Sequence, residues 1–267
     1  MASEKKDSLL QYVDSPRIIF VGGSNLSFGL NSQMIKDSLN INPINTAIHA
    51  GIGLRYMIEN TLQYIKEDDI IVLVPEYSHF YNDYNKGSEE LLRVIFDANK
   101  TKIKLLSFSQ IVNIQKYVPR YISSKIKKSE YKNQTEDKIY GINSFNEYGD
   151  TFTHWIEENE EFDSTVISGD YNPIVMDKIK KFENSIKKKK AILFISFPGY
   201  QEKSYLNSID RIDKVETELL HYGFLILGSS RRYMMNDSLM FNTSYHLNKS
   251  GVDHRTDLLI EDIKALK

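Results

Sequence analysis

The sequence predicts a three-layer α/β fold in which helices cover both faces of a mostly parallel, five-stranded sheet. Two observations support this prediction. Short apolar runs of β-forming residues end abruptly at glycine or proline, and segments with helical spacing of apolar residues stand between them. Parallel strands need such a crossover, because the chain has to return before the next strand can pair in the same direction.

Five apolar runs are predicted to form the sheet. The first, at residues 17–21, consists mostly of β-branched and aromatic residues and stops at Gly22-Gly23. The others have a similar composition and lie at residues 44–49, 70–74, 191–196 and 224–227.

Helices are predicted between these runs. They lie at residues 33–39, across the apolar positions 54–65, at residues 209–220, and at the C-terminus, where apolar residues recur from Leu258 to Leu266. Residues 77–177 interrupt the alternation, because this stretch is long, polar and rich in tyrosine. We therefore predict one domain over residues 1–267 with an insertion or lid at about 77–177, in which residues 91–96 and 111–126 are helical.

Composition narrows the possible functions. The chain has 34 Lys and Arg against 36 Asp and Glu, a balance that predicts no nucleic-acid partner. It has no cysteine, which excludes disulfides, thiolate metal sites and a cysteine nucleophile. Basic runs at residues 123–131 and 187–190 are interpreted as solvated helix ends or loops, with a landing surface for an anionic glycan or lipid headgroup as the alternative. Membrane association would need an anchor absent from this chain, since no apolar run is long enough to span a bilayer.

Ser24 is the nucleophile candidate. It follows Gly22-Gly23 at the predicted carboxyl end of the first strand, where ligands gather in open parallel sheets. A glycine turn there lets the hydroxyl face the cleft and lets backbone N–H groups approach an oxyanion. The alternative interpretation is a helix cap, in which the serine oxygen accepts a hydrogen bond from a free backbone N–H.

His246 is the candidate base for Ser24. It lies in a polar loop before the terminal helix, so we expect it at the same edge of the sheet as Ser24. His79, beyond the third strand, is the second choice, and His49 can equally be a packed histidine. The histidines to which no chemistry is assigned are His154, His221 and His254.

Cofactor binding is weakly indicated. Residues 22–30 lack the lysine that a phosphate loop places next to Ser or Thr, and Gly51-Ile52-Gly53 lacks the third glycine of a dinucleotide fingerprint. A nucleotide-sugar enzyme that uses Gly51 and Gly53 is therefore the least supported hypothesis. No cofactor and no metal is predicted.

Three motifs together resemble the SGNH (GDSL-like) hydrolases and their acyltransferase relatives. They are Gly22-Gly23-Ser24-Asn25-Leu26-Ser27-Phe28-Gly29, Ala50-Gly51-Ile52-Gly53-Leu54 and Tyr245-His246-Leu247-Asn248-Lys249-Ser250-Gly251. The likeness spans most of the chain and is greatest to a bacterial branch related to the teichoic acid D-alanine transfer protein and found in surface-polysaccharide loci. It implies a flavodoxin-like, SGNH-type fold with Ser24 as nucleophile, His246 as base, and Gly51 or the Ser24 amide as oxyanion donor. Gly23, Asn25 and Gly53 are the neighbouring candidates for oxyanion or substrate binding.

Two positions depart from that pattern. Thr243 stands where the superfamily has an acid three residues before the histidine, so Asn242 is the candidate to hold the ring's tautomer, in a dyad or degenerate triad. After the third strand, where the superfamily offers an Asn, this chain has Glu76-Tyr77, and an ionised Glu76 would repel an oxyanion. Four roles are open for Glu76. It can orient a sugar hydroxyl, tune the pKa of His246 or stay protonated, and a purely structural role is the fourth. Both Glu76 and Tyr77 are candidates for substrate binding.

The leading hypothesis is a serine-dependent O-acyltransferase or esterase that works through an acyl-Ser24 intermediate. Its expected partners are an acyl donor and a polysaccharide or sugar acceptor, on which tyrosines of the insertion would stack. The resemblance implies the bacterial cell envelope as its location. The alternative is a catalytically impaired carbohydrate-binding or polysaccharide-assembly protein of the same fold, suggested by the missing acid and by Glu76.

Overall fold

The computed structural model describes residues 2–126, 139 and 141–266. Its α-helices are α1 (Ala2–Tyr12), α2 (Ser24–Ser27), α3 (Ser32–Leu39), α4 (Leu54–Leu62), α5 (Glu89–Arg93), α6 (Phe108–Gln115), α7 (Val118–Ile126), α8 (Ile174–Lys188), α9 (Glu202–Leu206), α10 (Ile209–His221) and α11 (Lys249–Lys264). Its strands are β1 (Arg17–Gly22), β2 (Asn42–Asn45), β3 (Ile70–Val74), β4 (Ile192–Ile195), β5 (Tyr200–Gln201), β6 (Met234–Met235), β7 (Met240–Thr243) and β8 (His246–Leu247).

A parallel four-stranded sheet with the order β2-β1-β3-β4 lies at the centre of this mixed α/β fold. From β1 the chain moves outward to β2 and then returns to the other side of β1 to form β3 and β4. The neighbours β1 and β3 therefore flank the point at which the strand order reverses. In open α/β sheets this is where ligands bind, at the carboxyl ends of the strands.

Alternate residues of the strands enter two separate apolar clusters, as the pleat of a strand buried on both faces requires. One cluster joins Ile18 of β1 to Ile35 of α3 and Leu259 of α11. The other joins Ile19 of β1 to Phe182 of α8. Residues of α3 and α11 therefore pack with one set of strand side chains, and a residue of α8 packs with the other.

A buried ion pair fixes the start of β1 against the start of β3. Arg17 Nε donates to Asp69 Oδ1 at 2.8 Å, and both side chains are completely buried. Arg17 Nη1 also donates to the Leu10 carbonyl at 2.7 Å, which ties α1 to the sheet. Since the guanidinium and carboxylate satisfy each other, the register of the two strands is set at their beginning and carried to their ends.

The fifth predicted strand, residues 224–227, forms no strand. It pairs with β4 through one parallel bridge between Ile195 and Ile226. The Ile195 N–H donates to the Leu225 carbonyl and the Leu227 N–H donates to the Ile195 carbonyl, both at 2.8 Å. Gly228 then adopts a positive φ of 72° and turns the chain away. In the described residues the sheet has four strands, and the prediction of five was wrong.

The second strand is shorter and earlier than predicted. The sequence predicts it at residues 44–49, whereas β2 covers Asn42–Asn45. Thr46 N–H still donates to the Phe20 carbonyl at 3.0 Å, but His49 already caps the 3₁₀ turn Ala50–Ile52. The chain has therefore left the sheet before it reaches His49.

Two helical predictions need a correction. The helix predicted at residues 111–126 is divided into α6 and α7, and the one at 91–96 is α5 followed by a π-helical turn, Val94–Ala98. The terminal helix begins at Lys249, because the Asn248 side chain caps it by accepting the Gly251 N–H at 3.0 Å. Helix α1 and the short strands β5–β8 carry no strong sequence signal and are not predicted.

The two basic runs lie at residues 123–131 and 187–190. Lys127 and Lys128 lie outside the described residues. In the other run, Lys187 pairs with Glu183 at 2.8 Å and Lys190 pairs with Glu67 at 2.7 Å. Across residues 2–126, 139 and 141–266, no helix combines the length and apolar character that crossing a bilayer requires.

Candidate active site

The candidate site lies where β1 and β3 end side by side. Gly22, the last residue of β1, is in register with Val74, the last residue of β3. Two residues further along each chain segment stand Ser24 and Glu76. The parallel pairing therefore brings a hydroxyl and a carboxyl together at the switch point of the sheet, although 52 positions separate them in the sequence.

The two glycines before Ser24 are required by close packing. A Cβ on Gly22 would lie 2.6 Å from the Val74 carbonyl oxygen, and one on Gly23 would lie 2.7 Å from Glu76 Oε1 and 2.9 Å from Ala50 Cα. Gly23 is also the N-cap residue of α2, and it has no side chain to cap the helix. Ser24 is the first residue of α2, and its hydroxyl does not serve as the helix cap that the alternative interpretation proposes.

Ser24 is hydrogen-bonded to Glu76. Its Oγ donates to Glu76 Oε1 at 3.1 Å, and the Asn25 N–H donates to the same oxygen at 3.2 Å. Both side chains are nearly buried, with 9% of Ser24 and 5% of Glu76 exposed. The carboxyl oxygen thus receives two donors at the start of α2, the Ser24 hydroxyl and the Asn25 N–H.

Burial raises the pKa of Glu76 to about 7, although hydrogen bonds from Asn25 and Ser24 favour the charged form. His79 supplies no compensating positive charge. Its Nδ1 accepts the Glu76 N–H at 3.1 Å, its Nε2 faces the Ala50 carbonyl at 3.1 Å, and burial lowers its pKa to about 4. A neutral His79 therefore holds the backbone of Glu76 in place and leaves the carboxyl without a cation.

His246 lies at the same rim as Ser24, in β8, which pairs with β7 as a short antiparallel hairpin. The sequence predicts a loop at this position, and the hairpin corrects that expectation. Helix α2 packs against β8, and the Leu247 N–H donates to the Phe28 carbonyl at 3.2 Å. The two distant stretches of the chain therefore meet at one edge of the sheet.

Asn242 and Phe28 hold the His246 ring. Its Nδ1 lies 2.9 Å from Asn242 Oδ1, and its face stacks on Phe28 at 4.2 Å between ring centroids. Because an amide oxygen only accepts, this contact assigns the proton to Nδ1 and leaves Nε2 as the basic nitrogen. Burial, with smaller contributions from His154 and His49, lowers the pKa of His246 to about 3.

No hydrogen bond joins Ser24 to His246, both of which are described. The serine hydroxyl has Glu76 as its partner, while the His246 ring is held by Asn242. The pairing that the sequence predicts between Ser24 and His246 is thus one of shared location, and the direct contact of Ser24 is with Glu76.

The other predicted site residues are engaged within the protein. Gly51 N–H donates to His49 Nδ1 at 2.9 Å, and Gly53, at a φ of 85°, leaves no room for a Cβ beside the backbone of Gly87. Asn25 is completely buried and its Nδ2 donates to the Val74 carbonyl at 3.2 Å. The Gly51 N–H is thus bonded to His49 and is not offered to an oxyanion in this structure, and the Asn25 amide supports the end of β3.

Tyr77 belongs to an aromatic group beside Glu76. Its N–H donates to the Tyr245 hydroxyl at 3.2 Å, and its ring meets that of Tyr200 edge-on at 5.4 Å between centroids. The Tyr77 hydroxyl itself is buried and has no hydrogen-bond partner. Tyr77 therefore packs beside the site and contacts Tyr200 and Tyr245.

A pocket of about 300 Å³ opens next to this aromatic group, between the two ends of the insertion and the core. Its aromatic lining consists of Tyr81, Tyr84, Tyr200 and Tyr245. Burial, with the Glu76 carboxyl as a smaller cause, raises the pKa of the last three of these hydroxyls. Tyr245 also accepts the N–H of Tyr77, the residue after Glu76.

The tyrosine hydroxyls of the pocket are largely occupied. Tyr81 donates to the Arg211 carbonyl at 2.9 Å, Tyr200 contacts Thr165 Oγ1 at 3.0 Å, and Tyr245 accepts from the backbone. The pocket consequently offers the faces of aromatic rings more than free hydrogen-bonding groups.

Two residues that contact the site were assigned no chemistry from the sequence. Phe28 is the platform for His246, and His154 packs at 4.8 Å from the Phe28 ring while its Nε2 faces the Leu247 carbonyl at 3.0 Å. Phe28 lies one helical turn after Ser24, a spacing that brings it to the same end of α2. His154 has no such local signal, because its role depends on the insertion folding back onto β8. In the described part of the chain, no group of three or more His, Asp or Glu is arranged to hold a metal ion.

Comparison of the chain with protein-family models, with curated proteins and with solved structures gives no significant match.

Proposed function

We propose that this chain is a serine-dependent O-acyltransferase or esterase built on a three-layer, SGNH-type fold. Ser24 would attack an ester or thioester carbonyl, and the acyl group would pass to a sugar hydroxyl of a cell-surface glycan or to water. The observation that carries the proposal is the position of Ser24: after a glycine turn, at the switch point of the sheet, with a proton acceptor 3.1 Å from its oxygen.

The aromatic pocket supports an acceptor with a flat apolar face. Rings of Tyr84, Tyr200 and Tyr245 line a volume of about 300 Å³, and the Tyr245 hydroxyl accepts the N–H of Tyr77, the residue after Glu76. A pyranose ring presents C–H groups on its faces, and aromatic side chains offer large, rigid surfaces for such contacts. A site of this kind would hold the acceptor close to an acyl-serine and favour transfer over hydrolysis.

A second candidate function is favoured by the same carboxyl group. Glu76 Oε1 already receives the Ser24 hydroxyl and the Asn25 N–H, and no hydrogen bond joins Ser24 to His246. A chain that kept the fold but lost catalysis, and that binds a glycan or helps to assemble it, would tolerate this arrangement permanently. The two functions differ in whether Ser24 reacts.

A covalent probe separates them. The purified chain would be incubated with a fluorophosphonate, and in parallel with 4-nitrophenyl acetate. Under the enzymatic proposal the probe labels the native chain, and Ser24→Ala abolishes both labelling and turnover. Ser238→Ala, which removes an exposed hydroxyl far along the chain, is the matched control and keeps both.

Failure has a clear form. If the native chain is folded by thermal unfolding, binds a glycan fragment, and shows neither labelling nor turnover, the enzymatic proposal is wrong and the binding protein is supported. If labelling persists in Ser24→Ala, the probe reacts elsewhere and Ser24 is not the nucleophile.

A further inference from the structure

We propose that Glu76, and not His246, is the group that removes the proton from Ser24. This inference rests on the proposed function, and it changes the expected division of roles at the site. The resemblance implies a histidine base supported by an acid, with an amide side chain after the third strand. Here the acid follows β3 and contacts the serine, while the amide contacts the histidine.

The geometry singles out Glu76. A general base has to lie within about 2.6–3.2 Å of the oxygen whose proton it takes. Glu76 Oε1 lies 3.1 Å from Ser24 Oγ. Among the described residues, Glu76 is the side chain to which the Ser24 hydroxyl donates its hydrogen bond. Gly23 makes the approach possible, because any Cβ at that position would collide with Glu76 Oε1 at 2.7 Å.

The surroundings of Glu76 keep it poised near neutrality. The titratable groups around it are His79 on its own segment, Tyr84 in the insertion, and Tyr200 and Tyr245 from the core. None of these supplies a positive charge, since burial lowers the pKa of His79 to about 4 and the tyrosines are neutral. Burial of the carboxyl raises its pKa to about 7, which is suited to proton transfer at neutral pH.

His246 is a much poorer acceptor. Burial lowers its pKa to about 3, and Asn242 carries no charge that would stabilise an imidazolium. A base whose conjugate acid forms only at strongly acidic pH gains little from taking a serine proton. The ring is better suited to a neutral role at the rim, such as accepting a hydrogen bond from an incoming hydroxyl through Nε2.

The proton balance of the step is simple. As Ser24 Oγ bonds to the acyl carbon, its proton passes to Glu76 Oε1 and the carbonyl electron pair moves to the substrate oxygen. Collapse of the tetrahedral intermediate breaks the bond to the leaving alkoxide or thiolate, which takes the proton back from Glu76. In the second half, Glu76 receives the proton of the acceptor hydroxyl or water, and Ser24 recovers it when the ester bond to the enzyme breaks.

One transfer also prepares the oxyanion site. While Glu76 is ionised, its Oε1 occupies the Asn25 N–H at 3.2 Å, and a substrate oxyanion would be repelled. Once protonated, the carboxyl is neutral and accepts hydrogen bonds less strongly, so the Asn25 N–H is more available to the new oxyanion. The Glu76 carboxyl therefore repels an anion before the proton transfer and no longer repels it afterwards.

The test is the pH dependence of kcat/KM for 4-nitrophenyl acetate from pH 4 to 9. In the native chain kcat/KM should rise with pH through an apparent pKa near 7. Glu76→Gln keeps the size of the side chain and an acceptor oxygen, and it should lower kcat/KM by about 10²–10⁴-fold and remove this inflection. His246→Gln should keep the inflection.

Glu90→Gln is the matched control. Glu90 is a partly buried carboxylate at the same rim that bonds to Ser88 instead of Ser24, so its replacement should leave the inflection unchanged. A Glu76→Gln variant that is folded and retains both the rate and the inflection overturns the inference, and so does an inflection that disappears in His246→Gln. In both cases the serine enzyme itself survives. Absence of turnover and labelling in the folded native chain removes the proposed function and this inference together.

Discussion

Two polar pairs at the rim of the sheet invite a direct comparison. In one, the Ser24 hydroxyl faces the Glu76 carboxyl, and in the other the His246 ring faces the Asn242 amide. Burial acts on both pairs but in opposite directions, raising the pKa of Glu76 to about 7 and lowering that of His246 to about 3. The proton-accepting strength at this rim therefore lies with the carboxyl, whereas a conventional triad gives it to the imidazole.

The largest expected effect comes from replacing Phe28, the residue that connects the two pairs. Phe28 donates its N–H to the Ser24 carbonyl at 2.9 Å and stacks its ring on His246, with 4% of the residue exposed. Phe28→Ala should lower the free energy of unfolding by about 3–5 kcal/mol, because it leaves a cavity between α2 and β8. Phe28→Leu, which conserves most of the volume, should cost less than about 1.5 kcal/mol. Urea unfolding measures both, and a loss below about 1 kcal/mol in Phe28→Ala would contradict the connecting role.

The pH dependence of stability tests the pair formed by Ser24 and Glu76. The pKa of Glu76 rises from 4.5 to about 7 on folding, so between these values the folded chain holds a proton that the unfolded chain has lost. The native chain should therefore lose about 3 kcal/mol of stability relative to Glu76→Gln as the pH rises from 4.5 to above 7. The histidines with lowered pKa act with the opposite sign in both chains, so the difference between the chains isolates Glu76.

Chemical unfolding of the native chain and Glu76→Gln at pH 5 and pH 8 measures this effect. A stability difference between the two chains that is independent of pH would show that Glu76 titrates normally in the folded state. The contrast between the two pairs would then be lost.

A side chain at position 23 would reduce the space around the pair formed by Ser24 and Glu76. A Cβ at position 23 would lie 2.7 Å from Glu76 Oε1 and 2.9 Å from Ala50 Cα. Gly23→Ala should therefore destabilise the chain by about 1–3 kcal/mol through overpacking. In a Glu76→Ala background the same change should cost clearly less, because the carboxyl no longer competes for the space. A double-mutant cycle measures this coupling, and additive effects would mean that Ala50 alone accounts for the crowding.

The smallest expected effect concerns the pair formed by His246 and Asn242. Asn242→Asp would place a carboxylate where the amide oxygen now lies, 2.9 Å from His246 Nδ1. It should raise the pKa of His246 by at least about one unit, because a nearby negative charge stabilises the imidazolium. Asn242→Leu, which removes the acceptor, should not raise it. Histidine titration by NMR measures the pKa in both variants, and an unchanged value in Asn242→Asp would place the ring out of contact with residue 242.

The fold was predicted best where local pattern and tertiary need coincide. The runs that became β1 and β3 are apolar, β-branched and bounded by glycine or proline, and they lie in the sheet within one residue of the prediction. Residues 224–227 have a similar composition but make one bridge only, because pairing there depends on how far β4 extends. Apolar character predicts burial, and it does not by itself predict a partner strand.

For the site, the sequence predicted the contact of Asn242 with His246 but not that of Ser24 with Glu76. The exit of β1 at Ser24 follows from a glycine turn after an apolar strand, and the Asn242 contact with His246 is close in sequence. The contact between Ser24 and Glu76 was not predicted, because the two residues are 52 positions apart and meet only through the pairing of β1 with β3.

Local sequence patterns are enough to predict the alternation of strands and helices, the glycine turn and the polar residues at the strand ends, since all of these depend on neighbours a few positions away. The hydrogen bond from the Ser24 hydroxyl to the Glu76 carboxyl, in contrast, depends on tertiary structure. Hydrogen bonding and desolvation depend on which groups share a small, water-poor volume, and that arrangement is set by the register of β1 with β3 and by the packing of α2 against β8.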